Sequence, residues 1–270
     1  MALIEDLGRA GDLTSGAVIE DGQTASVVVA AREFGIIAGL DFAKLAFSLI
    51  DRDVFFKAES EDGDSLFPGK ILAKIEGPAR SILTAERVAL NFLGHLSGIA
   101  SATASIVRAV AHTQAKISCT RKTTPGLRSA EKYAVRAGGG VNHRFGLDDA
   151  ILIKDNHIAI AGGIGKALAR AKQYAGHLVK IEIEVDTLAQ LEEALFYNPD
   201  AVLLDNMNVQ MLRQAVKMID RRTIIEASGR ITADTAAEIA ETGVDLISVG
   251  WLTHSAKVLD IGLDFIDLSI

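Results

Sequence analysis

A chain of 270 residues that is 49% hydrophobic, with a mean hydropathy of +0.26, is too apolar to be disordered and long enough for one barrel-sized domain or two smaller ones. Its net charge of -7 and pI near 5.4, without any polybasic run, argue against nucleic acid as a partner, and no uninterrupted apolar run approaches the roughly 18 residues of a membrane span. The single cysteine, Cys119, cannot close an intrachain disulfide, and the opening MALIEDLGRAGDLTS has no basic-then-apolar signal pattern, so the expected location is cytoplasmic.

To about residue 115 the chain reads as a mixed α/β unit. Strands are expected at 25–31 (ASVVVAA), 36–38, 54–58 and 71–75, and a helix at 40–50. Asp62-Gly63-Asp64 and Glu76-Gly77-Pro78 read as turns. Thr84 is expected to cap a helix carrying Glu86, Arg87, Leu90, Leu93 and Leu96, which Ser97-Gly98 then bends before a second stretch at 100–111. Arg87 would sit in the first turn, where the helix dipole disfavours a cation; that makes it a weak functional candidate, with a bond to Glu86 or a neighbouring subunit as the plain alternative.

From Lys116 the pattern becomes strand then helix, repeated. Strands are expected at 116–119, 150–153, 179–185, 201–204, 223–226 and 246–249, with helices near 164–175, 188–196, 209–219 and 232–241. Such alternation implies a parallel sheet with right-handed crossovers. Nearly every strand ends in a chemically capable group: Arg121-Lys122, Lys154-Asp155, Glu184, Asp205-Asn206, Ser228-Gly229, Gly250. A barrel gathers such ends around one mouth, so a barrel at 116–255 is expected, with 1–115 as the first domain and residues from about 256 to 270 returning to it. In VKIEIEV the period of two sets Lys180, Glu182 and Glu184 on one face, which would point into the barrel.

The chemistry concentrates between Ser118 and His157. From Arg121 to Leu147 six Lys or Arg residues (Arg121, Lys122, Arg128, Lys132, Arg136, Arg144) face one acid, Glu131. The spacing of Arg128, Lys132 and Arg136 predicts a solvated face of a helix at 129–137. Arg121, Lys122, His143, Arg144 and Lys154 instead border apolar runs, and form the cationic half of a mouth whose acidic half is Glu184 and Asp205. Arginine forks match carboxylates or phosphates, and the Ser228-Gly229 and Gly250 turns can offer backbone N–H groups to a phosphate.

The segments TRKTTPGLR, EKYAVRAGGGVNHRFGLDDAILIKDNHI, IEIEV, LLDNM, EASG and DLISVGWLTHSA, with EDLGRAGDLTS and RVALNFLGHLSGIA before them, strongly resemble the quinolinate phosphoribosyltransferase family over essentially the whole chain. The resemblance implies an N-terminal open-faced α/β sandwich, an incomplete TIM-like α/β barrel of about seven strands, and an obligate homodimer with shared active sites, assembly to a hexamer remaining open. It implies the reaction of quinolinate with 5-phosphoribosyl 1-diphosphate to nicotinate mononucleotide, diphosphate and carbon dioxide, with Mg²⁺ as cofactor. By matching motif, Arg87 reaches the partner's site, while Arg121, Lys122, His143, Arg144 and Lys154 bind the two substrate carboxylates and the diphosphate. Glu184 and Asp205 hold ribose hydroxyls or metal-bound water, Mg²⁺ being carried mainly by the diphosphate, and Ser228, Gly229, Arg230 and Gly250 receive the 5-phosphate. Lys122, Lys154, Glu184 and Asp205 are the implied catalytic groups.

Three departures from the family pattern stand out: Cys119 where Asp is common, Arg230 for a second glycine after Ser228-Gly229, and Trp251 for a small residue. The short leading helix that the resemblance implies before EDLG has little room here. Three other readings stay open: a molybdate-transport-associated relative of the same fold, an unrelated phosphosugar isomerase or aldolase using Lys154 as a Schiff-base nucleophile, and a non-catalytic anion-binding protein.

Overall fold

The computed structural model describes residues 1–265, and the chain divides into two compact units. The first comprises Met1–Ala102, Ala137–Gly139 and the chain from Ala256 on; the second comprises Thr103–Arg136 and Gly140–Ser255. Residues 266–270, part of the stretch expected to return to the first domain, lie outside the described residues.

The first unit opens with helices α1 (Ala2–Leu7) and α2 (Leu13–Val18), the latter capped by Asp12, whose carboxylate accepts the Ser15 N–H at 3.0 Å. There follow β1 (Thr24–Ala31), β2 (Gly35–Ile36), α3 (Leu40–Ile50), β3 (Phe55–Ala58), β4 (Ser65–Leu66), β5 (Ile71–Pro78) and the long α4 (Ala79–Val110), whose end enters the second unit. β1, β3 and β5 form an antiparallel sheet, completed at its edge by β12 (Ile261–Phe265) from the far end of the chain, in the order β12-β1-β5-β3. One face of this sheet packs on helices through Val27, Val29, Leu72, Ile75, Phe47, Ile82, Leu93 and neighbours, the core of the unit.

Three local expectations change here. Glu76-Gly77-Pro78 continues β5 instead of turning, and Gly77 is required because a Cβ would come 2.9 Å from the Asp53 carbonyl oxygen. Thr84 lies inside α4, its hydroxyl donating to Asp12 at 3.1 Å, so Arg87 is two turns in and escapes the dipole penalty. Ser97-Gly98 does not interrupt α4. The Ser97 hydroxyl accepts the Ala38 N–H at 3.0 Å, and Gly98 lets the Lys257 carbonyl approach where any Cβ would collide. Helix and close approach are compatible because tertiary packing, more than propensity, holds a long helix. By length and composition α4 could cross a membrane, but 61% of its most apolar window is buried within the protein, as expected of a core helix.

The second unit alternates strand and helix: β6 (Lys116–Ser118), α5 (Arg128–Ala137), β7 (Ile151–Ile153), α6 (Asp155–Ala161), α7 (Ile164–Tyr174), β8 (Ile181–Val185), α8 (Leu188–Phe196), β9 (Ala201–Asp205), α9 (Val209–Ile219), β10 (Ile224–Ser228), α10 (Ala233–Ala240) and β11 (Leu246–Ser248), then a 3-10 turn at Gly250–Leu252. The strands pair in parallel in the order β6-β11-β10-β9-β8-β7. Six strands form the sheet, and an isolated parallel bridge from Ser118 to Val141 adds a trace of the expected seventh. The result is an incomplete α/β barrel. Period two is visible in β8, where Ile181, Ile183 and Val185 are buried and Glu182 and Glu184 take the other face. Lys180 does not join them: it lies before the strand, exposed, and pairs with Asp200 at 2.6 Å.

Candidate active site

One cavity of about 460 Å³ is lined by Thr120, Arg121, Lys122, His143, Arg144, Leu152, Lys154, Glu184, Leu203, Asp205, Glu226, Ser228 and Ser248, all from the second unit. Strands β7, β9 and β10 each give it two residues spaced by two: Leu152 and Lys154, Leu203 and Asp205, Glu226 and Ser228. The outer member of each pair ends or just follows its strand, as expected; the inner member lies one step deeper. Sequence reading found the outer layer and missed Thr120, Leu152, Leu203, Glu226 and Ser248, although the same period two that set Glu182 beside Glu184 would have set Glu226 beside Ser228.

Arg121 and Lys122 lie on the loop after β6. That loop is tied down by the Lys122 N–H to Thr120 Oγ1 at 3.1 Å and by the buried Thr253 hydroxyl to the Lys122 carbonyl at 2.7 Å. Arg144 is anchored by Nη1 to the Ala150 carbonyl at 2.8 Å, and Asp149 holds its loop by accepting N–H groups of Phe145 and Gly146 at 2.6 and 3.0 Å. Burial, then the charge of Arg121, make the Arg144 guanidinium a weaker base than usual. The Nε–H groups of both Arg121 and Arg144 are buried without an acceptor. A buried donor left unmet costs about 1–3 kcal/mol, more if charged; separately, both arginines line the cavity, where guanidinium forks suit an anion.

The expected solvated face of α5 holds only at Arg136. Lys132 is 2% exposed, its ammonium 3.1 Å from Cys119 Sγ and 2.9 Å from the His143 carbonyl, and the neighbouring Glu131 is fully buried and accepts the Thr124 N–H at 3.0 Å. Arg128 donates to Thr123 Oγ1 at 3.0 Å and to the Phe145 carbonyl at 3.2 Å. These cations brace the two loops that carry Arg121 and Arg144. Spacing alone could not reveal this, because it depends on which face of the helix the loops cross.

Lys154 precedes α6 and donates to Glu184 at 2.6 Å; its own N–H is accepted by His157 Nδ1 at 2.9 Å. Asp205 is half-buried and accepts from Asn206 Nδ2 at 2.6 Å. After β10 the backbone takes left-handed conformations at Gly229 (φ 109°) and Arg230 (φ 49°), and a Cβ at Gly229 would lie 2.8 Å from the Asn206 nitrogen. Glycine is therefore required at 229, and Arg230 occupies a conformation that glycine would adopt at lower cost. Trp251 donates its indole N–H to the Ile231 carbonyl at 2.9 Å, pinning the Gly250 turn to the same loop. Gly229, Arg230 and Gly250 belong to these turns but do not line the cavity, and Arg87 belongs to the first unit, exposed on α4 and 3.8 Å from Glu86.

His143 sits among acids. Its Nε2 lies 3.0 Å from Glu182 and 3.5 Å from Glu226, and Ser248 donates its hydroxyl to Glu226. Burial works against a charged ring, but the bond to Glu182 and the charges of Glu226 and Glu182 outweigh it and raise the affinity of His143 for a proton. Geometry limits that tendency: the Arg144 backbone N–H donates to Nδ1 at 2.8 Å, leaving no place for a second ring proton. Glu226 is 2% exposed, and burial followed by the charge of Glu182 raises its carboxyl to about 7, against the opposing pulls of His143 and Ser248. His143, Glu182 and Glu226 are close enough to hold a metal ion, but His143 is bonded to Glu182, lies 3.5 Å from Glu226, and Glu226 accepts from Ser248, so they read as a cluster coupled through charge.

Comparison with known proteins agrees along the chain. Residues 12–97 match the model for the quinolinate phosphoribosyl transferase N-terminal domain, and residues 99–264 match that for its C-terminal domain. The probable nicotinate-nucleotide pyrophosphorylase (carboxylating) of Bacillus subtilis (strain 168) is 47% identical over 261 residues, covering 97% of this chain and 90% of that protein. The nicotinate-nucleotide pyrophosphorylase (carboxylating) of Mycobacterium leprae (strain TN) is 46% identical, covering 97% and 94%. The crystal structure of NadC from Streptococcus pyogenes superposes with a TM-score of 0.93 at 46% identity, covering 98% of this chain and 95% of that one. The structure of the nicotinate-nucleotide pyrophosphorylase from Francisella tularensis gives 0.94 at 38% identity, covering 98% and 93%.

Proposed function

The chain belongs to the quinolinate phosphoribosyltransferase family, and from that premise we propose that it converts quinolinate and 5-phosphoribosyl 1-diphosphate to nicotinate mononucleotide, diphosphate and carbon dioxide, in de novo NAD biosynthesis. The observation that carries the proposal is that the Arg121 and Arg144 guanidinium groups line one cavity together with Lys122, Lys154, Glu184 and Asp205. Two adjacent carboxylates on a planar ring are what two such forks would match.

In this reading Arg121 and Arg144 grip the quinolinate carboxylates, and His143 lines the same wall. Lys122 and Lys154 face the diphosphate. Lys154, now bonded to Glu184, would exchange that partner for phosphate oxygens as substrate enters. Glu184 and Asp205 take the ribose hydroxyls and stabilise the positive charge that grows on the sugar as diphosphate departs. Quaternised ring nitrogen then serves as the electron sink: the C–C bond to the adjacent carboxylate breaks, carbon dioxide leaves, and the ring carbon that keeps the electron pair takes a proton from solvent water. The Ser228-Gly229-Arg230 turn and Gly250 receive the 5-phosphate with backbone N–H groups.

Oxygen donors at Glu184 and Asp205 suit a hard cation, and these residues would help hold a Mg²⁺ brought with the diphosphate, which would supply charge neutralisation of the leaving group. The working form is a cytoplasmic homodimer, with the exposed Arg87 reaching the other subunit's site; a single buried cysteine fits a reducing compartment.

The direct test incubates the protein with quinolinate, 5-phosphoribosyl 1-diphosphate and Mg²⁺ and follows mononucleotide and carbon dioxide by mass spectrometry, with nicotinate in parallel. Nicotinate has one carboxylate and leaves a buried cation unmatched, so little mononucleotide is expected from it. Comparable turnover of nicotinate overturns the substrate assignment. For assembly, mixing Arg87→Ala with Lys154→Ala chains should restore activity through hybrid dimers holding one intact site; subunit exchange without recovery overturns the shared site.

A further inference from the structure

Glu226 has no part in the chemistry above, yet it lines the cavity at 2% exposure. A charged carboxylate there would oppose a substrate that brings two carboxylates of its own, and like charges in a poorly hydrated site repel strongly. The conflict disappears if Glu226 is neutral while the substrate is bound. Burial at 2% exposure and the Glu182 carboxylate, whose oxygen lies within 4.8 Å, favour that state, against the opposing pulls of His143 and Ser248. Oε1 accepts the Ser248 hydroxyl and lies 3.5 Å from His143 Nε2, which leaves Oε2 to carry a proton. The ring cannot take that proton instead, because its Nδ1 is occupied by the Arg144 N–H at 2.8 Å.

The titratable and charged groups around Glu226 come from four directions. His143 lies on the loop after α5, Glu182 on β8, and Lys132 on α5 acts through His143; β11 offers only Ser248, which is uncharged. Arg121, Lys122, Arg144, Lys154, Glu184 and Asp205 line the same cavity.

We propose that Glu226 is a proton-gated specificity residue: only its protonated form admits the dianionic substrate, so that binding captures one proton and ionisation of Glu226 expels the ligand. The inference rests on the quinolinate reading. It makes Glu226 a positioning residue that acts through charge, held by His143, Glu182 and Ser248.

The test is calorimetric titration of the whole protein with quinolinate between pH 6 and 8.5, in two buffers of different protonation enthalpy. The carboxyls of quinolinate titrate in the ordinary range, well below this window. Wild-type affinity should be flat at the acid end and fall about tenfold per pH unit above neutrality, the slope of one linked proton, with the buffer pair reporting uptake of one proton. Glu226→Gln, a neutral carboxamide of the same shape, should match wild type at pH 6, stay flat, and bind more tightly than wild type at pH 8.5. Ser248→Ala, which removes a bond favouring the ionised form, should move the break to higher pH. A flat wild-type profile without proton uptake overturns the inference alone and needs no variant. Uniform loss of affinity in Glu226→Gln overturns it too, as does a break abolished by a chelator. A protein that binds no quinolinate at any pH overturns the substrate reading, and this inference with it.

Discussion

Arg121 and Arg144, and the cluster of His143, Glu226 and Ser248 with Glu182 behind it, share a single cavity but treat their polar groups in opposite ways. The arginines keep buried donors without acceptors, whereas the cluster satisfies its members internally, through His143 to Glu182 at 3.0 Å and Ser248 to Glu226. Cations that line a cavity without a carboxylate of their own are left for an anionic ligand, and a matched cluster sets the charge that the ligand meets. Substitution at the arginines should therefore act on affinity at every pH. Substitution in the cluster should act through protonation.

The largest break in that comparison is expected at the arginines. Arg121→Ala or Arg144→Ala should weaken quinolinate binding by about 2 to 5 kcal/mol, the scale of leaving one side of a desolvated charge pair unmatched. Calorimetry showing unchanged affinity in both variants would remove them from the site. Next come the outer carboxylates. Glu184→Gln and Asp205→Asn should lower kcat on the order of 10²-fold while changing quinolinate affinity much less, because in the proposed reaction the charge they would stabilise appears only as the sugar bond breaks. Loss confined to binding in steady-state and equilibrium measurements would reassign them.

The cluster sharpens the comparison through stability. Glu226 is raised to about 7 when folded, above its ordinary value of 4.5, so the folded state holds the proton more tightly than the unfolded one. Stability attributable to this group is complete below the unfolded value and is lost as pH rises through the folded one. Glu226→Gln should then change little at pH 4 to 5 and stabilise the protein above pH 7 by roughly 1 to 2 kcal/mol, within a ceiling of about 3 kcal/mol from the shift itself. Thermal melts across pH would show it, and equal destabilisation at all pH values would contradict it. The smallest effect belongs to Lys180, on the same face of VKIEIEV by spacing but outside in the fold. Lys180→Ala should cost under about 1 kcal/mol in a denaturant melt and leave quinolinate affinity unchanged.

Much of the second unit was legible before the structure, because alternating apolar strands and amphipathic helices carry their own periods, and the strand ends carry their own chemistry. Arg121, Lys122, His143, Arg144, Lys154, Glu184, Asp205 and Ser228 were named from that pattern, and all line one cavity. The first unit was less legible. Thr84 looked like a cap and Ser97-Gly98 like a break, since these residue types have local preferences that favour such roles; packing against Asp12, Ala38 and Lys257 overrode them.

The sequence by itself determined the strand and helix alternation, the collection of cations and carboxylates at strand ends, and the family to which they belong, because each is written in neighbouring residues or in a short period. Only the tertiary structure decided that Lys132 is buried as a brace instead of solvated, that Lys180 stays outside while Glu182 goes in, and that His143 faces two carboxylates. Burial and charge environment are set by residues distant in sequence: Glu182 and Glu226 are 39 and 83 positions from His143, and the fold alone brings them to 3.0 and 3.5 Å. Desolvation then fixes which of them can hold a proton.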